Sequence, residues 1–162
     1  MDRVLRGRAA WKLADLTQMA GQMRVPIIGL IDSAGERLSM KGGDTGLNGL
    51  ARFLRNYCLY SGVVPRIALL LGPCTGVLSV IPVLSDFLVM NERTAFLWLG
   101  GPKVSEEAGG AAFHMEKSGQ CDLIAPSDEA AIEMVRALLA FLPQNCWEKP
   151  PRVPTEDDPD RR

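Results

Sequence analysis

SGVVPRIALLLGPCTGVLSVIPVLSDF, residues 61–87, decides how this chain is read. Within it, residues 67–71 form an uninterrupted apolar run bounded by Pro65 and Gly72, the pattern of a central parallel strand covered on both faces. Gly72-Pro73-Cys74-Thr75-Gly76 comes next. This spacing predicts a sharp turn in which Gly72 and Gly76 supply unusual dihedrals and Pro73 adds stiffness, followed by a helix that opens at Thr75 or Gly76 and runs to about Asp86. A helix start leaves backbone N–H groups without intrahelical acceptors, and such groups stabilise an oxyanion without any charged side chain. On spacing alone two readings stay open: a tight strand-to-helix connection with no chemistry, or an anion hole built from amides.

Outward from this stretch, helices and strands alternate. Leu13, Leu16, Ala20 and Met23 recur at helical spacing, and the pattern ends between Gly21 and Pro26, just ahead of an apolar run over 25–31 that reads as the first strand. Residues 42–46 read as a mobile glycine turn, after which Leu47, Leu50, Ala51, Leu54, Tyr57 and Cys58 mark one face of a second helix. Residues 87–90 and 96–99 read as short strands joined by Asn91-Glu92-Arg93, and 121–125 as the last strand. Ala130, Ala131, Met134, Val135, Leu138, Leu139 and Leu142 line a closing helix capped by Ser127 or Asp128. The order predicts an α/β domain with a mostly parallel sheet.

Composition narrows the function. A chain of 162 residues with 47% apolar content makes one domain with a real core. The net charge of -1, with both signs interspersed, argues against a nucleic-acid surface. Four cysteines without a CxxC pair, and a single histidine, argue against a zinc site and fit reduced thiols in the cytoplasm. No apolar run reaches the roughly 18 residues needed to span a bilayer, and none follows Arg3, Arg6 and Arg8 as a signal-peptide core would. The expectation is a soluble protein without a direct membrane span. Residues 152–162, polar and Pro-rich, are expected to be a disordered tail behind a domain over 1–151.

Four ordered blocks resemble the carboxyltransferase subunit of the biotin-dependent acyl-CoA carboxylases and decarboxylases. Val25-Pro26-Ile27-Ile28-Gly29-Leu30-Ile31-Asp32-Ser33-Ala34-Gly35-Glu36-Arg37 is similar to that family's strand and Asp-Ser-Gly-Gly-Ala-Arg turn. Ser61-Gly62-Val63-Val64-Pro65, then Gly72-Pro73-Cys74-Thr75-Gly76 and Ser85-Asp86-Phe87, resembles its second strand, glycine turn and helix. Glu107-Ala108-Gly109-Gly110-Ala111 with His114, Ser118 and Gly119 looks like its Gly-Gly-Ala, His, Ser-Gly block, and Leu142-Pro143-Gln144-Asn145 like the segment closing its N-terminal domain. The match runs from about Trp11 to Pro151 and is far more specific than one glycine loop.

The resemblance implies a crotonase-like (ClpP/crotonase) spiral of strand and helix repeats, truncated here to a partial N-terminal carboxyltransferase domain. It implies transfer of a carboxyl group between carboxybiotin and the α-carbon of an acyl-CoA. Biotin, carried by a partner biotin carboxyl carrier protein and not attached to this chain, is implied to take the α-proton. The protein's part is then to stabilise enolate-like oxygens with backbone amides. By position these are the amides of Gly76 and Val77, while Ser33, Gly35, Arg37, Gly109, Gly110 and Ala111 are the residues implied to shape the acyl-CoA site. Val77 departs from the family, which commonly has a second glycine there, and a β-branched side chain crowds that approach. The segment 100–107 is shorter than the family's. The alternative is a catalytically incomplete accessory subunit or fragment that binds other carboxyltransferase chains in a homo- or hetero-oligomer. His114, Trp98 and Trp147 read more simply as structural.

Overall fold

The computed structural model describes residues 5–35, 47–101, 103, 107–152, 154 and 160. Arg37 and the 42–46 turn lie outside these, as does most of the expected tail.

The apolar run singled out above is the centre of the sheet. β2 (Arg66–Thr75) pairs in parallel with β1 (Ile27–Ser33) on one side and β3 (Phe87–Asn91) on the other. β5 (Leu123–Ala125) extends the sheet beyond β3, giving the order β1-β2-β3-β5. Ile67, Ala68, Leu69 and Leu70 are each 0% exposed, because helices cover both faces and leave no polar side to alternate with. On one face α1 (Gly7–Met23) and α2 (Leu47–Leu59) pack over Ala68, Leu70, Leu88 and Met90. On the other, α5 (Asp128–Leu139) covers Ile67, Leu69 and Val89 through Ala131 and Val135. The Ser127 hydroxyl caps α5, accepting from the Ala130 N–H at 3.2 Å.

β2 runs further than expected. It continues through Gly72 and Pro73 to Thr75, because β4 (Phe96–Trp98) pairs with its last residues where β3 has ended. Gly72 therefore supplies no turn. Its role is space: a methyl there would fall on the carboxylate of Asp32, across the strand pair. The turn is made at Gly76 alone, with φ of +70°.

The helix faces also differ from the expected ones. In α1 the buried residues are Ala10, Ala14, Thr17 and Gly21, and the larger Leu16 and Met23 stand 59% and 64% exposed. Small residues win this face because α2 comes close: the Tyr60 ring fills the place of a Gly21 side chain, and Trp11 that of Gly49. In α2 the buried face is Gly49, Leu50, Phe53, Asn56 and Tyr57, whereas Leu47, Ala51 and Cys58 are exposed. Asn56 is buried because its amide donates to the Ala14 carbonyl of α1 at 2.9 Å.

Candidate active site

Three of the glycine-bearing segments meet at the C-terminal end of β2, where ligands gather in open parallel sheets. The first is the elbow itself. Thr75 ends the strand in extended backbone, Gly76 turns it, and a 3-10 turn (Gly76–Ser79) leads into the short α3 (Val80–Val83). The Ser79 hydroxyl donates to the Gly76 carbonyl at 2.7 Å and holds the bend. Val77 stands 38% exposed at the mouth of the elbow, and Leu78 turns inward.

The second segment is the end of β1. Ser33 is in register with Cys74, and Gly35, at φ of +105°, lies so close to the elbow that a methyl there would sit 3.0 Å from Thr75 Oγ1. The Gly35 carbonyl accepts from the Ser33 hydroxyl at 3.0 Å and from the Leu5 N–H at 2.9 Å, which fixes the turn. Ser33 thus shapes the backbone rather than projecting a free hydroxyl.

The third segment arrives through β4. Trp98 is in register with Thr75 on one side, while its indole fills the space where a Gly109 side chain would be. Phe96 bridges to Gly110 and stacks on Trp98 at 4.9 Å between ring centroids. Gly110 faces open space, with nothing within 4 Å of where its side chain would begin, and Ala111 is buried behind it at the start of α4 (Ala111–Phe113). Ser33, Gly35, Gly76, Val77, Gly109, Gly110 and Ala111 therefore converge. β4 is the piece that the sequence reading left unplaced, since nothing in Phe96-Leu97-Trp98 announces that its partners are Pro73, Cys74 and Thr75.

None of these converging residues has an ionisable side chain. His114, next in the chain, is 9% exposed and occupied on both sides. Its Nε2 lies 3.0 Å from the Leu97 carbonyl, which only accepts, so Nε2 donates. Its Nδ1 lies 2.9 Å from Ser118 Oγ. The imidazole thereby ties β4 to the π-helical turn His114–Ser118. Cys74 is fully buried, which denies its thiol the access a nucleophile needs. Among the described residues no cluster of three His, Cys, Asp or Glu could hold a metal ion, and no helix is long and apolar enough to cross a membrane. What the arrangement offers is chiefly backbone, amides at a helix start and glycines that allow close approach, with the exposed Asp32 carboxylate over Gly72 as the ionisable group beside them.

Comparison with known proteins places this geometry. The chain is 38% identical over 160 residues to the propionyl-CoA carboxylase beta chain of Roseobacter denitrificans, covering 93% of this chain and 31% of that one. It is 36% identical over 159 residues to methylmalonyl-CoA decarboxylase subunit alpha of Propionigenium modestum, covering 92% and 30%. Transcarboxylase 12S, solved as a hexamer assembly with methylmalonyl-coenzyme A and methylmalonic acid bound, superposes with a TM-score of 0.86 at 32% identity, over 95% of this chain and 32% of that one. The fold is crotonase-like, as the resemblance implied. The chain spans about 30% of the length of these curated relatives. The carboxyl transferase domain model matches residues 5–162, and the protein belongs to that family.

Proposed function

We propose that this chain is a carboxyltransferase component that moves a carboxyl group between carboxybiotin and the α-carbon of an acyl-CoA. The observation that carries this reading is the convergence of three glycine segments, at Gly35, Gly76 and Gly109-Gly110, on one strand end. Biotin on a partner carrier protein supplies the carboxyl group and accepts the α-proton. The donor set fits that division of labour, because a site made of amides can hold an enolate oxygen but has no base of its own. Gly76 and Val77 present their amides to the thioester oxygen as charge develops on it. Gly35 and Gly110 keep the walls low enough for the thioester to reach the elbow, and Ser33 and Ala111 fix those walls from behind. The propionyl-CoA carboxylase and methylmalonyl-CoA decarboxylase names of the relatives point to short acyl chains.

A second reading, a catalytically incomplete subunit that binds other carboxyltransferase chains, is favoured by the half-exposed Val77 isopropyl group beside the proposed donors. One substitution pair separates the two. Val77→Pro removes one of the two proposed donor amides within the first helical turn and lowers carboxyl transfer to propionyl-CoA by about 10²–10³-fold in a complex reconstituted with a biotin carrier, with the circular dichroism showing the fold retained. Val77→Gly raises the same rate. Activity indifferent to both substitutions would assign the chain to the accessory role.

A further inference from the structure

His114 joins two of the segments that meet at the elbow. Through its main chain it donates to the Gly110 carbonyl at 3.1 Å, and through Nε2 it donates to the Leu97 carbonyl of β4, seventeen residues earlier, at 3.0 Å. Leu97 is in register with Cys74, and the next pair along is Trp98 with Thr75, the residue before Gly76. One side chain therefore links the open Gly110 wall, by way of β4, to the strand end that carries the elbow. β4 needs the tie. Three residues pair too briefly to hold a strand in place alone, and its other attachments include the Phe96 bridge to Gly110 and the Thr94 hydroxyl, which donates to the Leu71 carbonyl at 2.8 Å.

The imidazole is itself gripped from its far side. Its Nδ1 meets Ser118 Oγ at 2.9 Å, and the π-helical turn His114–Ser118 that brings Ser118 round leaves the His114 carbonyl to accept from the N–H groups of Gln120 at 2.9 Å and Cys121 at 3.1 Å. A π turn is a rare way to wind a chain, and it recurs where a site requires it. Leucine or phenylalanine would fill the same buried volume without demanding two polar partners. The choice of a histidine therefore answers to where the Leu97 carbonyl is held more than to the space the ring occupies.

We infer that His114 is a positioning residue for the elbow: it sets the gap between the Gly110 wall and the amides of Gly76 and Val77, and touches no substrate itself. This inference rests on the reading of the elbow as the acyl-CoA site. Its effect on the reaction follows from distance. The thioester oxygen has to lie within hydrogen-bond reach of the donor amides while the α-carbon faces carboxybiotin, and a displacement of about 1 Å in one wall costs on the order of 10²-fold in rate. Because the substrate is held along all three segments, the loss falls on kcat more than on KM.

Two amide side chains separate the roles of the ring nitrogens. In His114→Gln the amide nitrogen takes the place of Nε2 and keeps the bond to Leu97, whereas in His114→Asn it reaches only the place of Nδ1. In the complex reconstituted with a biotin carrier, His114→Asn should lower kcat for carboxyl transfer to propionyl-CoA by about 10–100-fold per folded molecule, with KM within about threefold of the unaltered chain, and His114→Gln should restore most of the rate. Without substrate, the amide resonances of Gly76 and Val77 should shift in His114→Asn and return in His114→Gln. Should His114→Asn fold poorly, amide exchange of the unaltered chain in mild urea decides: Thr75 and Trp98 open together with the His114–Ser118 turn. Equal rates in the two variants, resonance shifts confined to residues 110–121, or a turn that opens by itself would overturn the inference and leave His114 a packing residue. An unaltered complex that transfers no carboxyl group would defeat the acyl-CoA reading instead, and the resonance shifts would still show whether His114 holds the elbow.

Discussion

The two ends of β2 are built from opposite materials. At its start, Arg66 is 4% exposed and surrounded by fixed acceptors: Asp86 Oδ1 at 2.8 Å, Ser61 Oγ at 3.0 Å and the Tyr57 carbonyl at 3.0 Å, with the Tyr57 ring 5.1 Å from the guanidinium. The Asp86 carboxylate also accepts from the Arg66 N–H at 2.8 Å, and the Asp86 N–H donates back to the Arg66 carbonyl at 2.8 Å. At the strand's other end, ten residues on, Thr75, Gly76 and Val77 are themselves uncharged, and the carboxylate nearby is that of exposed Asp32, which lies over Gly72. The charged end is fully satisfied and has nothing left for a ligand. The uncharged end is the one where glycines leave backbone within reach. In this domain ionised groups hold the sheet together, and the candidate chemistry falls to amides.

The sharpest way to break this comparison is to remove the charge. Arg66→Leu leaves Asp86 without its partner and strips hydrogen bonds from Tyr57 and Ser61, so urea unfolding should show a loss of about 2–4 kcal/mol, less than for a fully buried pair because Asp86 is 36% exposed. Acyl-CoA binding by the folded fraction should not change. Gly76→Ala tests the opposite end. A left-handed φ of +70° costs a side chain about 1–2 kcal/mol, and the elbow should relax out of position, weakening binding of propionyl-CoA more than stability. If Gly76→Ala proved the more destabilising of the two, or Arg66→Leu the more damaging to binding, the division between the ends would fail.

Much of this was legible in the sequence, for identifiable reasons. Residues 67–71 read as a central strand because a run without polar alternation has few other uses, and Gly76 read as the elbow because no other residue takes that φ cheaply. Gly72 was misplaced as a turn residue. Its lack of a side chain answers to Asp32, forty residues earlier in the chain, and sequence spacing carries no trace of that contact. The α1 stripe of Leu13, Leu16, Ala20 and Met23 is genuinely amphipathic, yet α2 takes the small-residue face instead, so periodicity found a surface without telling what covers it. Arg66 went unremarked for a similar reason, since a buried arginine is legible only once Asp86, Tyr57 and Ser61 are around it. Asn145 is comparable: 5% exposed, it donates to the Arg24 carbonyl at 3.1 Å, tying the Leu-Pro-x-Asn segment to the end of α1 while the Arg24 guanidinium lies 4.2 Å from the centre of the Trp147 ring.

The smallest expected effect concerns the buried thiols, one near each end of the sheet. Cys74 sits beside the elbow and Cys121 near the charged end, where it contacts the carbonyls of Leu123 and Leu88. Burial, with the Asp122 carboxylate adding to it, pushes the Cys121 thiol up to about 11, against 9.0 for an ordinary thiol. The folded chain therefore keeps a proton that the unfolded chain releases. Stability from this group is whole below pH 9 and declines as the pH rises toward about 11, in the same direction as the raised Tyr57 phenol, whose burial outweighs its Ser85 and Arg66 contacts. Alkylation at neutral pH should mark exposed Cys58 and Cys146 and leave Cys74 and Cys121 untouched until urea unfolds the chain. A Cys121→Ser variant should flatten the decline between pH 9 and 11. Rapid labelling of Cys74 in the folded chain would instead mean that the elbow opens on its own, and the contrast between a pinned end and an accessible end would become one of motion as well as composition.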